Sequence, residues 1–154
     1  MRRTDREVTD FNEIADILHR AGTIRLGLHD EPYPYVVPLS FGYETKDGKI
    51  TIYIHGAKEG LKNNLISKNP HVCVQTDILH HFKQTPKSFS AEYESFTGFG
   101  IAERISGSEA KRAIDLMVAQ CGFEGIGYDE ALLEVTAVYK INLSSFTSKR
   151  NTKI

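Results

Sequence analysis

The feature that most restricts the fold is an alternation running from Ser88 to Ile105. Phe89, Ala91, Tyr93, Ser95, Thr97, Phe99 and Ile101 recur at every second position. A period of two over that length specifies one long strand, because successive side chains of a strand point to opposite faces. Gly98 and Gly100 fall on the other face, where missing side chains let the strand bend as it does at a sheet corner.

Shorter alternations flank it. Thr23 to His29 places Ile24, Leu26 and Leu28 on one face, Ile50, Ile52 and Ile54 alternate with Thr51, Tyr53 and His55, and His71 to Ile78 and Val135 to Leu143 repeat the pattern. Helical spacing appears three times. Asp10 with Glu13 forms a capping box ahead of Phe11, Ile14, Ala15 and Leu18. Residues 59–69 carry Leu61, Leu65 and Ile66, and Ser106 or Ser108 caps a helix bearing Ala110, Ala113, Ile114, Met117, Val118 and Cys121. Asp30 to Pro34 and Thr45 to Lys49 read as turns, and 80–87 as a polar loop. Gly122, Gly125 and Gly127 mark a second loop, and 146–154 a polar tail. Six strands joined mainly by short turns argue against a doubly wound parallel sheet. They predict a mainly β fold, a small antiparallel β-barrel with peripheral helices, as one domain over residues 1–154.

Of the 154 residues 25% are charged and the formal net charge is −1, so no strong field for nucleic acid or an anionic membrane is expected. No apolar run approaches the roughly 20 residues that span a bilayer, and no apolar segment follows the N-terminal Met-Arg-Arg-Thr-Asp-Arg-Glu as a signal peptide requires. Two cysteines, Cys73 and Cys121, make no disulfide framework, and a cytoplasmic location is expected. There is no P-loop, and Gly98-Phe99-Gly100-Ile101-Ala102-Glu103 lacks the third glycine of a dinucleotide fingerprint and lies within a strand pattern. His71, Cys73, His80 and His81 complete no recognised metal spacing, so no metal is expected. Cys121 continues an apolar helical stripe and reads as a small buried hydrophobe. No nucleophile elbow is present.

Two stretches carry chemical interest. In Tyr35 to Tyr43 one face holds Tyr35, Val37, Leu39, Phe41 and Tyr43, while the other holds only Val36, Pro38, Ser40 and Gly42. Pro38 cannot complete a central ladder, so this slim face belongs to an edge or opening with room for a flat ligand; an ordinary edge strand accounts for it equally. In Tyr53 to Lys62 a strand gives way to a helix across Gly56 and Gly60. Such a turn presents N–H groups and the positive end of a helix dipole, which favour an anion near Lys62. His55 closes the strand on the face opposite the three isoleucines. A plain connection with a surface lysine and a satisfied histidine is the other reading.

Taken together, Val36-Val37-Pro38-Leu39-Ser40-Phe41-Gly42-Tyr43-Glu44 and Tyr53-Ile54-His55-Gly56-Ala57-Lys58-Glu59-Gly60-Leu61-Lys62 resemble the flavin-binding split-barrel superfamily of pyridoxamine-phosphate oxidase, and within it the Nim-type 5-nitroimidazole-resistance reductases. The resemblance extends from Arg3-Thr4-Asp5-Arg6-Glu7-Val8 through Asn69-Pro70-His71-Val72-Cys73, Ser95-Phe96-Thr97-Gly98-Phe99-Gly100 and Lys111-Arg112-Ala113 to Thr147-Ser148-Lys149. It implies a six-stranded antiparallel FMN-binding split barrel and a homodimer holding FMN between subunits. Val37, Pro38, Leu39 and Ser40 would line the flavin ring, with Tyr53, His55, Gly56, Ala57 and Gly60 around the cofactor. Lys62 would hold the phosphate, Ser95 would add a phosphate or ribityl contact, and His55 would be the catalytic residue beside flavin and substrate. Ser40 stands where many relatives have asparagine, and Ser148 where a Thr-Gly-Lys ending has glycine, which weakens a role for Lys149. The implied activity is flavin-dependent reduction of nitro groups on 5-nitroimidazole-like small molecules. A non-catalytic flavin- or haem-binding module, and a split-barrel oxidase or reductase of another small molecule, are the alternatives.

Overall fold

Alternating sequence produces eight strands in a computed structural model that describes residues 3–123, 125 and 131–151. They are β1 (Glu7–Val8), β2 (Ile24–Leu28), β3 (Tyr35–Leu39), β4 (Phe41–Lys46), β5 (Lys49–Ala57), β6 (His71–Thr85), β7 (Ser88–Ile105) and β8 (Thr136–Asn151). A 3-10 turn at Thr4–Arg6 and helices α1 (Phe11–Arg20), α2 (Leu61–Lys68), α3 (Gly107–Gln120) and α4 (Ala131–Val135) complete the described chain. One antiparallel sheet runs β3-β2-β6-β7-β8-β5-β4, with β1 paired to β8.

In place of the six strands expected, the described residues form one eight-stranded antiparallel sheet whose hydrogen-bonded path does not close. Two of the differences have simple causes. The run Tyr35 to Tyr43 breaks at Ser40, since Leu39 pairs with Ile24 while Phe41 pairs with Ile54 on a different strand. Val8, buried opposite Ser148, forms a short strand with too few residues to show a period. β3 and β4 end the path without hydrogen-bonding to each other, and Ser40 alone links them in the chain. Pro38, opposite Arg25 on the edge strand β3, sits where a missing N–H is tolerated.

Other boundaries also move. Residues 80–87 are no loop, because β6 and β7 continue pairing to Thr85 and Ser88. The supposed tail from residue 146 continues β8 to Asn151, held by pairing to Tyr93. Val135 belongs to α4 and not to the last strand. Of the glycine-rich loop, Gly127 lies outside the described residues. The turn after Lys46 has φ of 51° at Asp47 and 72° at Gly48, the two positive values that suit a tight hairpin. Asp10 caps α1 by accepting from the N–H groups of Asn12 and Glu13 at 2.8 and 3.1 Å.

The core forms on the inner face of the curled sheet, where α1 lays Ile14, Ile17 and Leu18 against Ile24, Leu26, Ile52, Val74, Phe96 and Ile141. Each fully buried aliphatic side chain contributes roughly 1.5–3 kcal/mol. A second cluster, with Tyr53, Val138, Ala113 and Met117, fixes α3 on the opposite face of β5 and β8. On β7 the apolar series Phe89 to Ile101 lies on the outer face, whereas Phe96, Gly98, Gly100 and Ala102 turn inward. A Cβ at Gly98 would stand 2.7 Å from a methyl of Leu143, and one at Gly100 would collide with the carbonyl of Asn142. Those glycines let β7 close onto β8 beside the register shift at Phe99 and Gly100.

A charge cluster pins α1 to the sheet. Glu94, whose side chain is 5% exposed, is 2.7 Å from both Arg20 and Arg150, and 3.1 Å from His80 Nε2. Arg150 reaches Glu13 at 2.8 Å and Arg20 reaches Asp16 at 2.9 Å. Burial acts to raise the Glu94 carboxyl, but hydrogen bonds from Arg20, Arg150 and His80 and the charge of Arg20 bring it down to about 2. A depressed carboxylate stabilises the fold above its unfolded pKa, 4.5, and that stability is lost as pH falls toward 2. Glu94→Gln should lower stability at pH 7 by about 2 kcal/mol, reduced from a fully buried pair because both arginines are partly exposed. Urea denaturation at pH 7 and pH 3 checks this: the parent loses stability between the two, and the variant loses distinctly less.

Candidate functional site

β5 ends where the chain must reverse into α2, and three residues fix that turn. Gly60 has φ of +133°, open to glycine without strain, and supplies no side chain to cap the helix it precedes. Asn63 is buried; its amide donates to the carbonyl of Ala57 at 2.6 Å, and its Oδ1 accepts from the Tyr139 hydroxyl at 3.0 Å. Lys62 folds back over the strand end and donates to the carbonyl of His55 at 2.8 Å. A Cβ at Gly56 would collide with the Lys62 ammonium, so the glycine makes the seat for the lysine.

The electrostatics of this turn are unbalanced. Lys62 is half-buried, burial lowers its pKa, and no carboxylate among the described residues pairs with it. Its ammonium and the uncapped first turn of α2 concentrate positive potential at one point. Crowding by the surrounding protein, and then the charge of Lys62, lower the pKa of His55 below the ordinary 6.5. Both effects disfavour the protonated imidazole.

From there His55 opens onto a cavity of about 230 Å³. Ser40 stands beside it, one residue past the Phe41–Ile54 pair, and Ile114, Met117, Val118, Cys121, Phe123, Leu132, Leu133 and Thr136 supply mostly apolar walls. The cavity thus offers a mostly apolar lining with a few polar groups, among them Ser40, His55 and Thr136, the usual composition of a small-molecule site.

The residues expected at the site separate into two groups. Ser40 and His55 share the cavity, and Gly56, Ala57, Gly60 and Lys62 form the adjoining turn. Val37 and Leu39 turn their side chains toward the core, while Pro38 and Ser40 are exposed. Among the described residues only β2 pairs with β3, which leaves its other backbone edge without a described partner strand. The slim face is open only in part, because at Gly42 a Cβ would stand 2.7 Å from the Met117 backbone N; α3 fills that space. Tyr53 lies under α3, buried, and donates to Glu44, which also pairs with Arg112. Burial first and Glu44 second push the Tyr53 hydroxyl up to about 12. Ser95 sits at the far end of β8 from the turn, opposite Lys149, with its carbonyl accepting from the buried Ser148 hydroxyl at 2.8 Å. Arg150 is committed to Glu94 and Glu13.

Sequence reasoning missed the cavity walls from α3 and α4, since Met117 and Leu133 look like ordinary core residues. It also missed the Asn63 latch, signalled only by an asparagine in a helix's first turn. Cys121, read as buried, is exposed at the end of α3 and borders the cavity. Cys73 is half-buried, and burial raises its thiol. His80 and His81 lie against Glu94 and Glu92, and no group of three potential metal ligands occurs among the described residues.

Comparison with known proteins places this geometry in context. A protein from Bacteroides thetaiotaomicron, provisionally assigned to 5-nitroimidazole antibiotic resistance, is 28% identical with a TM-score of 0.82, over 93% of this chain and 85% of that one. Two further solved structures share the fold: the flavocytochrome Anf3 from Azotobacter vinelandii, at 20% identity and TM-score 0.80 over 99% of this chain and 72% of that one, and a FAD and heme binding protein from Mycobacterium smegmatis, at 19% and 0.76 over 96% and 74%. No curated protein matches the chain. The family model described as pyridoxamine 5′-phosphate oxidase matches residues 10–150, and the chain belongs to that family.

Proposed function

We propose that the protein is a cytoplasmic, homodimeric oxidoreductase that binds FMN and reduces nitro groups of small 5-nitroimidazole-like molecules. The observation that carries this reading is the unbalanced positive charge at Lys62 and the uncapped α2 turn, one strand end away from the His55 cavity. The residues fit the cofactor: the turn and Lys62 suit a phosphate, and the open edge of β3 offers backbone groups to a flat ring. Residues 57–61 of the turn are exposed, as are Pro38 and Ser40, so a second copy would complete the enclosing wall. The structural neighbours that bind FAD and heme, and the 28%-identical neighbour with its nitroimidazole assignment, support the class.

Bound FMN would supply the electrons. The chain's own residues position and protonate. Lys62 and the first N–H groups of α2 hold the phosphate, and the apolar walls of α3 and α4 exclude water from a nitroaromatic ring. His55 donates an N–H hydrogen bond to a nitro oxygen. A phosphate beside Lys62 offsets the second cause of the lowered His55 pKa and brings the imidazole closer to proton donation.

Absorbance of the purified protein tests the cofactor: flavin bands support the reading, and an intense Soret band replaces flavin with haem. Mixing reduced holoprotein with a nitroimidazole and a metabolite panel then tests the substrate, and flavin reoxidised only by other compounds overturns nitro reduction. Lys62→Ala should weaken FMN by about 1.5–3 kcal/mol and riboflavin far less, because only FMN carries the anion; calorimetry with both ligands checks it. His55→Ala should retain flavin yet reduce nitro compounds at least about tenfold more slowly, roughly 1.4 kcal/mol of barrier, in stopped-flow reoxidation. In the flavin-free protein an NMR titration should find His55 below 6.5 and Lys62→Met should raise it, since the variant removes a neighbouring cation.

A further inference from the structure

The His55 cavity lies against a second hollow, and the two differ in charge. The second, of about 290 Å³, is lined by Lys58, Arg104, Ser106 and Glu134 among others. Leu133 and Thr136 line both, so these two side chains stand between them. The fold fixes that partition. Thr136 opens β8 opposite Ala57, and the Lys58 N–H donates to the carbonyl of Val135 at 3.3 Å, which ties the end of α4 to the end of β5. Leu133 is half-buried and packs against the cluster of Tyr53, Ala113 and Met117.

On the cavity side the walls carry no lysine, arginine, aspartate or glutamate among the described residues. Residues 124–130, between Phe123 and Ala131 in the chain, include three acidic residues and no lysine or arginine. Volume sets a second limit. About 230 Å³ falls below the roughly 300–1,000 Å³ of pockets for drug-sized ligands, so the cavity suits one substituted ring. An anionic group carried in with that ring would lose its hydration and meet no cation in return, which is strongly unfavourable.

We propose that Leu133 and Thr136 set the specificity of the cavity: by walling it off from Lys58 and Arg104 they restrict it to single-ring compounds without an anionic group, and they exclude phosphorylated ones, pyridoxamine 5′-phosphate included. The inference rests on the reading of this cavity as the substrate site and narrows what enters it. It separates the chain from the compound in its family's name, because the cations that a substrate phosphate needs are present but lie behind the wall. Lys62 does not replace them, since it lines neither hollow and is assigned above to the cofactor phosphate. Selection of this kind comes from a contact denied to the wrong ligand.

Calorimetric competition against 4-nitrobenzyl alcohol reads the selection without turnover and reports only on ligands that share its site. Benzyl alcohol should compete, whereas benzoate, 4-nitrobenzoate and pyridoxamine 5′-phosphate should bind at least about thirtyfold more weakly. Leu133→Ala should open the partition and improve pyridoxamine 5′-phosphate at least about tenfold, and adding Arg104→Ala should remove that gain. Circular dichroism checks that the variants are folded. Leu132, 49% exposed at the rim, tests charge without touching the partition: Leu132→Lys should improve benzoate, and Leu132→Gln should not. A parent that binds neither alcohol, anions that compete within about threefold of the alcohols, or a folded Leu133→Ala protein that gains nothing for the phosphate overturns the inference. Should Leu133→Ala not fold, a Leu132→Lys protein with no gain for benzoate overturns it instead. Benzyl alcohol has no nitro group, so this selection without nitro reduction would remove only the activity proposed above. Nitro reduction that accepts 4-nitrobenzoate as readily as the alcohol would remove only this inference.

Discussion

One residue of chain separates the two ends of the sheet, and most of the structure follows from that constraint. β3 and β4 lie at opposite ends of the hydrogen-bonded path, yet only Ser40 stands between them. The intervening strands must curl until the two edges come within a residue of each other. That curl creates the enclosed inner face on which α1 packs, and it leaves β3 with an edge that no described strand covers. It also sets Ser40 beside His55, because the next residue, Phe41, is already paired with Ile54.

A curl this tight needs close backbone approach, and the glycines show where. Gly98 and Gly100 face inward on β7 where β8 crosses them, and Gly42 lets the α3 backbone rest directly on β4. The placement of α3 shapes the cavity, since Met117, Val118 and Cys121 come from its last turns. Glu44, Arg112 and Tyr53 hold the helix there from the other side. At its end, Gln120 donates to the carbonyls of Leu18, His19 and Ala21, linking the helix that walls the cavity to the one that covers the core.

Much of this was legible from period alone. The strands around Ile24, Ile52 and Val74, the three long helices, the Asp10 cap and the edge position of Pro38 all follow from local rules that tertiary context did not override. Alternation, however, reports that two faces differ and not which one is buried. On β7 the bulky series Phe89 to Ile101 faces outward, because the glycine face is the one that can press against β8. The polar run at 80–87 looked like a loop because pairing between polar residues leaves no hydrophobic period. The site divided in the same way. The glycine-framed turn and Lys62 carry local signals, whereas the cavity walls depend on where α3 and α4 dock. Tyr53 and Ser95 were grouped with the site by resemblance, and the topology places one under α3 and the other at the far end of β8.

The two ends of β8 hold contrasting charges, and the contrast bears on function. At one end Glu94 is nearly buried but surrounded by Arg20, Arg150 and His80, so its burial is compensated and its carboxyl stays ionised. At the other, Lys62 is half-buried with a carbonyl for a partner, and burial lowers its pKa. Stability alone favours the first arrangement, since a buried charge without a counter-charge is unfavourable. An uncapped helix terminus beside the lysine adds to the imbalance instead of relieving it. Asn63 and Gly56 nonetheless hold the lysine in place, through the Ala57 carbonyl, the Tyr139 hydroxyl and the space of a missing side chain. An arrangement that fixes a cation in this way leaves positive charge unbalanced at the turn. The proposed phosphate would supply the missing charge, and the same event would act on His55, whose protonation Lys62 opposes.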